Sequence, residues 1–484
     1  MRYAGTFFII GWLVFILAAA TSVPILLSLY LEQNNTAFAL MTLAGLSGFV
    51  GGGLILTLRG ATQPASTREN ILLVFLAWLI LPVFAALPFL ATQSTASFST
   101  AYFEAVSALT TTGASALGPV SSLSEPILIW RAVLQWLGGL AAIVMTISIL
   151  SGLGRGQDET HGPLPGANRY ASVTDTFAFT AQTVAAIYGS MTLIGLAGIW
   201  ASGVSFFDSL CLSLTAIATG GFACSEGGTQ NLHSPLAEFM IGILMIYGAI
   251  NFLLHWAVLR GRPSTYVHDP EPSYMMLSIF LLATYFFYAS GGNQVADRAV
   301  ANFGFAFFNA TSLLTTTGFW VGDLTVLREA PFVLLILAAI VGGCSVSTAG
   351  GIRMMRVILL TRQSLGELGR LAHPHGVVGV HYGRWAVSDQ MMFGIWGVFV
   401  SFLFALAVLS ILIAASGIPL TDALVAAVSI LSNIGPLYPL VADGAQSYAG
   451  FSVGLKYVMC VGMIIGRLEV MILLSLISLA YWRD

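Results

Sequence analysis

Charge is what this sequence most lacks. Only 8% of its 484 residues are charged, where a soluble domain carries roughly a quarter. With 57% hydrophobic residues and a mean hydropathy of +0.88, the chain is built to face lipid, and its length leaves no room for a sizeable soluble domain. The net charge is −3, and no basic stretch interleaves with aromatics, which excludes nucleic acid as a natural partner. Cysteine is scarce. Cys211, Cys224, Cys344 and Cys460 stand singly, without CxxC or metal-ligand spacing, which argues against a disulfide framework. No nucleotide-binding signature is present: GLGRG at 152–156 is too short and lacks the lysine of a phosphate loop. An intramembrane hydrolase would need a nucleophile and base on facing helices, and His255, near Arg260, has no serine at a convincing spacing. The chain does not read as an enzyme.

What is abundant is the long apolar run. Such runs fall near 5–31, 37–58, 70–92, 126–153, 176–202, 235–259, 273–291, 331–361, 389–416 and 451–481. Each is long enough to cross about 30 Å of hydrocarbon as a helix, so the fold class is an all-α polytopic membrane protein of ten spans. Residues 2–30 carry signal-peptide features, Arg2 and Ala18 to Ala20 among them, but the apolar stretch has spanning length and further spans follow, so a retained first helix is expected.

Arginines orient the spans. Arg59, Arg68, Arg155, Arg169, Arg260, Arg262, Arg362, Arg370 and Arg384 share one side with the termini, near Arg2 and Arg483. That side should be cytoplasmic. The opposite side holds Arg298 and Arg328 against Glu32, Glu125, Asp208, Glu226, Asp297, Asp323, Glu329, Asp422 and Asp443. An acidic outer face concentrates cations at its mouth.

Four shorter segments between spans, near 98–112, 205–219, 301–317 and 420–434, are too short to cross. They read FEAVSALTTTGAS, LCLSLTAIATGGF, FNATSLLTTTGFW and VAAVSILSNIGPL. Aligned on glycine, they superpose Gly113, Gly220, Gly318 and Gly435. One such segment is a helix stop with hydroxyl caps; four at matched places are a repeat. The chain then divides into two leading helices (1–69) and four pseudo-repeats of span, short helix, glycine loop and span (70–172, 173–272, 273–388 and 389–484). Non-helical backbone at membrane depth is tolerated only where it is buried in protein or lines a watery cavity. Four such loops can converge on one axis, where freed carbonyls and the hydroxyls of Thr112, Thr219 and Thr317 replace a cation's water shell. Glycine suits a strand that aims successive carbonyls inward, in dihedrals closed to residues with a Cβ.

On these loops the chain resembles the Trk/Ktr/HKT superfamily of potassium transporters, and within it the bacterial TrkH-type membrane subunit; the likeness runs over essentially the whole chain. It implies potassium uptake across the bacterial cytoplasmic (inner) membrane, with K⁺ as transported substrate and no organic cofactor. The loop residues implied to bind the ion are Thr111, Thr112, Gly113, Thr219, Gly220, Thr316, Thr317, Gly318, Asn433, Ile434 and Gly435. Glycine in the first loop, where some plant relatives have serine, implies preference for K⁺ over Na⁺. The fourth loop departs from the family pattern, with Leu437 where a second glycine is common.

A second constellation, VGGCSVSTAGGIRMM, lies inside the eighth apolar run. Glycine costs about 1 kcal/mol against alanine in a helix, so the segment should unwind, although small residues also make close-packed helix faces. The resemblance makes 342–351 an intramembrane gating loop, with Gly342, Gly343, Ser345, Ser347, Thr348, Gly350 and Gly351 matching. Arg467 and Glu469 lie inside the last run. Charges at bilayer depth cost at least ~2.5–3.5 kcal/mol and face the protein interior. Two residues apart, they need different partners. The family places the arginine beside the loop, as an electrostatic barrier to cations. Arg353 at the end of the loop is a further candidate, or an interfacial snorkelling residue; Glu104 reads as structural. His373, His375 and His381 read as a solvated loop rather than a metal site.

The resemblance also implies a homodimer and a cytosolic nucleotide- and NAD-binding regulatory subunit of TrkA type, for which the loops at 153–175, 260–272 and 362–388 offer a surface. The alternative is an ion-coupled secondary carrier with discontinuous helices. Such carriers usually have two inverted repeats and mid-membrane acids, for which Glu469 is the one strong candidate.

Overall fold

The computed structural model describes residues 4–60, 67–152, 173–225, 227–232, 234–290, 299–322, 324–373, 379–383, 385–442 and 447–468. Nearly all regular structure is helical. Two leading helices, α1 (Ala4–Ala20) and α2 (Ser22–Tyr30), form one apolar stretch interrupted at Thr21, and α3 (Asn34–Thr57) packs back against them. The packing is close because both faces are small there: a Cβ on Gly51 would stand 2.8 Å from Gly11 O and from Phe15 N.

The same order of elements then recurs four times. The first set is α4 (Thr67–Ala91), α5 (Phe98–Leu109), a glycine loop and α6 (Glu125–Gly152). The second is α7 (Val173–Ala201), α8 (Phe206–Ile217), a loop, α9 (Pro235–Ala249) and α10 (Phe252–Leu259). A short α11 (Ser264–His268) leads into the third: α12 (Pro270–Ala289), α13 (Ala299–Leu314), a loop with α14 (Thr325–Arg328), and α15 (Phe332–Val341). A non-helical segment and α16 (Met354–Ala372) follow, then a hairpin of β1 (His381–Tyr382) and β2 (Trp385–Ala386). The fourth is α17 (Asp389–Ala414), α18 (Leu420–Leu431), a loop with α19 (Leu437–Val441), and α20 (Val453–Leu468).

Burial sorts these elements into layers. The short helices α5, α8 and α18 are buried over most of their length after an exposed first residue, whereas the long helices expose apolar faces at Phe38, Phe49, Leu193, Phe393 and Phe404. In water so much exposed apolar surface would drive association; in lipid it is the proper exterior. In three sets the helix after the loop meets the last carbonyl of the short helix through a glycine. A Cβ on Gly138, Gly248 or Gly466 would run into the carbonyl of Leu109, Ile217 or Leu431.

Among the described residues, seven helices are long and apolar enough to cross a membrane, or eight if the pair α9 and α10 counts as one span, against the ten expected. The run 331–361 is broken after Val341, and the last run leaves the described residues after Leu468. The run 235–259 is not one straight helix: α9 and α10 are bent by 96°. The bend has a cause. Carbonyls of Gly248 and Ala249 accept from Thr348 N and Cys344 N (3.0 and 2.9 Å), and Phe252 N donates to Val346 O (3.1 Å). A foreign segment has taken the hydrogen bonds that would have continued the helix.

Candidate functional site

The glycine loops share one local construction. The N–H before the glycine turns back to the carbonyl of a hydroxyl residue: Thr112 to Ser107 (2.8 Å), Gly220 to Thr215 (2.9 Å), Thr317 to Ser312 (2.9 Å) and Ile434 to Ser429 (2.8 Å). One residue earlier each chain enters left-handed backbone, with φ of 54° at Thr111, 50° at Thr219, 58° at Thr316 and 54° at Asn433. None is glycine, so each stores strain of ~1–3 kcal/mol, which persists where the surroundings over-determine it.

Both marks correct the sequence alignment by one residue in the second loop. Gly221, with φ 74°, is the counterpart of Gly113 (76°) and Gly318 (86°), and Gly435 stands at the same place in the fourth loop. Gly220 stands where the others have Thr112, Thr317 and Ile434. The signal was present in the sequence: a serine or threonine lies six residues before each of these glycines.

The four loops close a ring. A Cβ on Gly113 would collide with Gly220 O, one on Gly221 with Thr317 O, one on Gly318 with the Pro436 ring, and one on Gly435 with the Ala114 backbone. First touches second, second third, third fourth, and fourth first. Gly435 N donates to Thr112 O (2.6 Å) and Asn433 Nδ2 to Thr112 Oγ1 (2.8 Å), which seals the last contact. The polar residues here are buried. Among the described residues Thr111 Oγ1, Thr311 Oγ1, Ser312 Oγ, Ser432 Oγ and Asn433 Oδ1 have no hydrogen-bond partner. Buried oxygens left unpaired are costly, and a dehydrated cation is the partner that suits a group of them.

Side chains behind the ring hold it. Glu104 accepts from Ala116 N (3.1 Å) and Ser115 Oγ (3.0 Å), and pairs with Arg131 Nε at 2.8 Å. Asn309 takes the matching place in the third set, giving Nδ2 to Val321 O (2.8 Å) and accepting from Val321 N (2.9 Å). The Arg131 guanidinium lies 4.0 Å over the Phe222 ring and so ties the first loop to the second. Gln135 Nε2 donates to Gly220 O (2.7 Å) and Tyr448 O–H to Gly435 O (2.8 Å). Of these braces only Glu104 stands out in the sequence.

The segment between α15 and α16 passes across the ring. Glycine is needed where its two limbs cross, since a Cβ on Gly342 (φ 69°) would strike Gly350 O. Thr348 Oγ1 has Gly248 O (2.9 Å) and Ile217 O (3.1 Å) as acceptors for its single proton and accepts from Thr219 Oγ1 (3.2 Å). Gly350 N donates to Thr316 Oγ1 (2.8 Å), and a Cβ on Gly350 would run into Ser432 O. The segment therefore touches the second, third and fourth loops. Ser347 closes its own turn on Cys344 O (2.6 Å), and Gly343 packs on Ala249. Arg467, 5% exposed, donates Nη1 to Thr348 O (2.6 Å), while its Nε and Nη2 have no partner among the described residues. Arg353 is 7% exposed, with φ 79°. It is a buried residue rather than an interfacial one.

Some expectations find no counterpart here. Glu469, His375, Arg155, Arg169 and Arg384 lie outside the described residues. His373 and His381 are exposed, and among the described residues no group of three His, Cys, Asp or Glu is placed to hold a metal ion. Leu437 is buried and opens α19, its preceding proline packed against Gly318.

Comparison with known proteins gives a consistent answer. The family model described as "TrkH: Cation transport protein" matches residues 40–262 and 277–480. The Trk system potassium uptake protein TrkH of Salmonella typhimurium is 31% identical across all of both chains. The Escherichia coli K12 protein of the same name is likewise 31% identical across all of both chains. Among solved structures, the crystal structure of the potassium transporter TrkH from Vibrio parahaemolyticus superposes with a TM-score of 0.88 at 28% identity, covering all of both chains.

Proposed function

The chain belongs to the TrkH family of cation transport proteins, a family of membrane transporters rather than enzymes, and from that premise we propose that it takes up potassium through the ring of four loops. A single observation carries this reading: four strained loops close into one ring, with buried, unpartnered side-chain oxygens at Thr111, Ser432 and Asn433 in or beside them. A K⁺ ion exchanges its hydration shell for the carbonyls and hydroxyls of residues 111–113, 219–221, 316–318 and 433–435, and the selectivity is set by how rigidly the braces hold that cage.

The segment 342–351 is the gate in this reading. It lies against three loops, and Arg467 fixes its Thr348 carbonyl while adding positive charge. Arg353 strengthens that charge; Glu469 stays a candidate in sequence only. Ions enter from the acidic outer face, pass the ring, and leave on the arginine-bearing side once the segment moves. The placement in a bacterial inner membrane, the homodimer and a TrkA-type nucleotide-binding regulator belong to the same proposal and rest on the family.

The test is tracer flux of K⁺ against Na⁺ into liposomes holding the purified chain, with Gly113→Ser alongside. The native chain should prefer K⁺, and the serine variant should lose that preference. The broken helices α9/α10 and α15/α16 also suit an ion-coupled carrier. Flux that stops when a proton or sodium gradient is collapsed would favour that second reading.

A further inference from the structure

The gating segment is held from two sides by charged groups, and the second holder stands outside the ring. Glu271, 1% exposed near the start of α12, accepts from both donors of Ser345: the backbone N–H on Oε2 (3.0 Å) and the hydroxyl on Oε1 (2.8 Å). Ser345 lies three residues before Thr348, the residue that Arg467 holds. A two-pronged, charge-assisted contact of this kind is short-ranged and directional. It fixes the segment's position along α12.

Glu271 is in turn tied to the arginine-bearing side. Asp269 caps α12, its Oδ1 accepting from Glu271 N (2.9 Å), and the same oxygen accepts from the phenol O–H of Tyr382 in the β1–β2 hairpin (2.9 Å). Burial, with Glu271 and Asp269 close by, pushes the Tyr382 phenol well above the ordinary tyrosine range, so it stays a donor at every working pH. The hairpin is itself anchored to α16, the helix that leaves the gating segment, through Arg362 Nη1 and His381 O. One unbroken set of contacts thus runs from an exposed hairpin, through Tyr382, Asp269 and Glu271, to Ser345.

We propose that Glu271 is a positioning residue that latches the 342–353 segment across the ring, and that the 381–386 hairpin sets the latch. A protein regulator that bears on the hairpin moves the first turn of α12, withdraws the Glu271 carboxylate from Ser345, and releases the segment. This rests on the gating reading above.

The test is tracer K⁺ flux in liposomes holding the full chain, with no regulator added, normalised to folded protein. In Glu271→Gln one amide oxygen must replace two acceptors, so basal flux should rise at least several-fold with the K⁺/Na⁺ ratio unchanged. Ser345→Ala and Tyr382→Phe, which each remove one oxygen, should raise it less, and neither should add to Glu271→Gln in the double variant. These two carry the test should Glu271→Gln fold poorly. Unchanged or reduced flux per folded molecule in all three, or fully additive effects, overturns the latch. A native chain that conducts selectively while these variants do nothing sinks the latch alone. A native chain that passes no K⁺ sinks the filter reading and the latch with it.

Discussion

At the scale of single residues, the two adjacent glycines of the second loop separate the observed register from the one read off the sequence. Gly220 has ordinary backbone, and a Cβ there would first meet the Gln135 side-chain amide, which can shift at the expense of its hydrogen bond to Gly220 O. Gly221 has φ 74° and faces a neighbouring backbone carbonyl. Gly221→Ala should therefore abolish selective K⁺ flux, whereas Gly220→Ala should retain a measurable part of it. The reverse order in liposome flux would place Gly220, not Gly221, as the counterpart of Gly113.

Glu104 makes a stability prediction. Removing one partner of a buried ion pair leaves an uncompensated charge and costs about 3–5 kcal/mol, so Glu104→Ala should sharply lower the detergent melting temperature. Arg131, left unpaired over Phe222, should carry the damage into the second loop. A melting curve that matches the native one would show that the pair is dispensable. Arg467 is a matter of electrostatics. At an effective dielectric of about 20, like charges repel by about 4 kcal/mol at about 4 Å and by half that at twice the separation, so an arginine beside the path slows a passing cation more than tenfold. Arg467→Gln should raise basal K⁺ flux by about that order, and unchanged flux would remove the barrier role.

At the scale of elements, apolar runs and glycine content were legible because lipid and backbone chemistry impose them on composition. The short helices α5, α8, α13 and α18 and the unwound segment after Val341 stand where those patterns fall. The bend between α9 and α10 was not legible. Residues 235–259 are mostly apolar, and Asn251, which caps α10 at the break, is a weak signal by itself in so long a run; the break is also held from outside by Cys344, Val346 and Thr348. Glu271 was missed for a similar reason. In sequence it is an acid in the first turn of a helix, a common placement, and only the fold brings Ser345 to it. The one-residue slip at Gly220 came from aligning on the first of two adjacent glycines instead of on the hydroxyl residue six before. At this scale the segment's crossing point makes a prediction: Gly350→Ala should prevent the segment from seating against Ser432 O, giving flux that no longer needs a regulator. Native-like gating in that variant would contradict the crossing.

At the scale of the whole molecule, four similar elements with dissimilar sequences build one ring. The ring positions Thr112, Gly220, Thr317 and Ile434 offer two hydroxyl side chains, one bare backbone and one apolar side chain, so backbone rather than side chain supplies whatever symmetry the site has. Bracing is as uneven: Glu104 and Asn309 hold the first and third loops, and Gln135 and Tyr448 reach the second and fourth from other helices. The central claim is that cations lose their water inside this ring. The most direct measurement is anomalous diffraction from crystals of the chain soaked in Tl⁺ or Rb⁺. The account predicts density on the axis shared by Gly113, Gly221, Gly318 and Gly435; density confined to other sites, or none on that axis in well-ordered crystals, would contradict it.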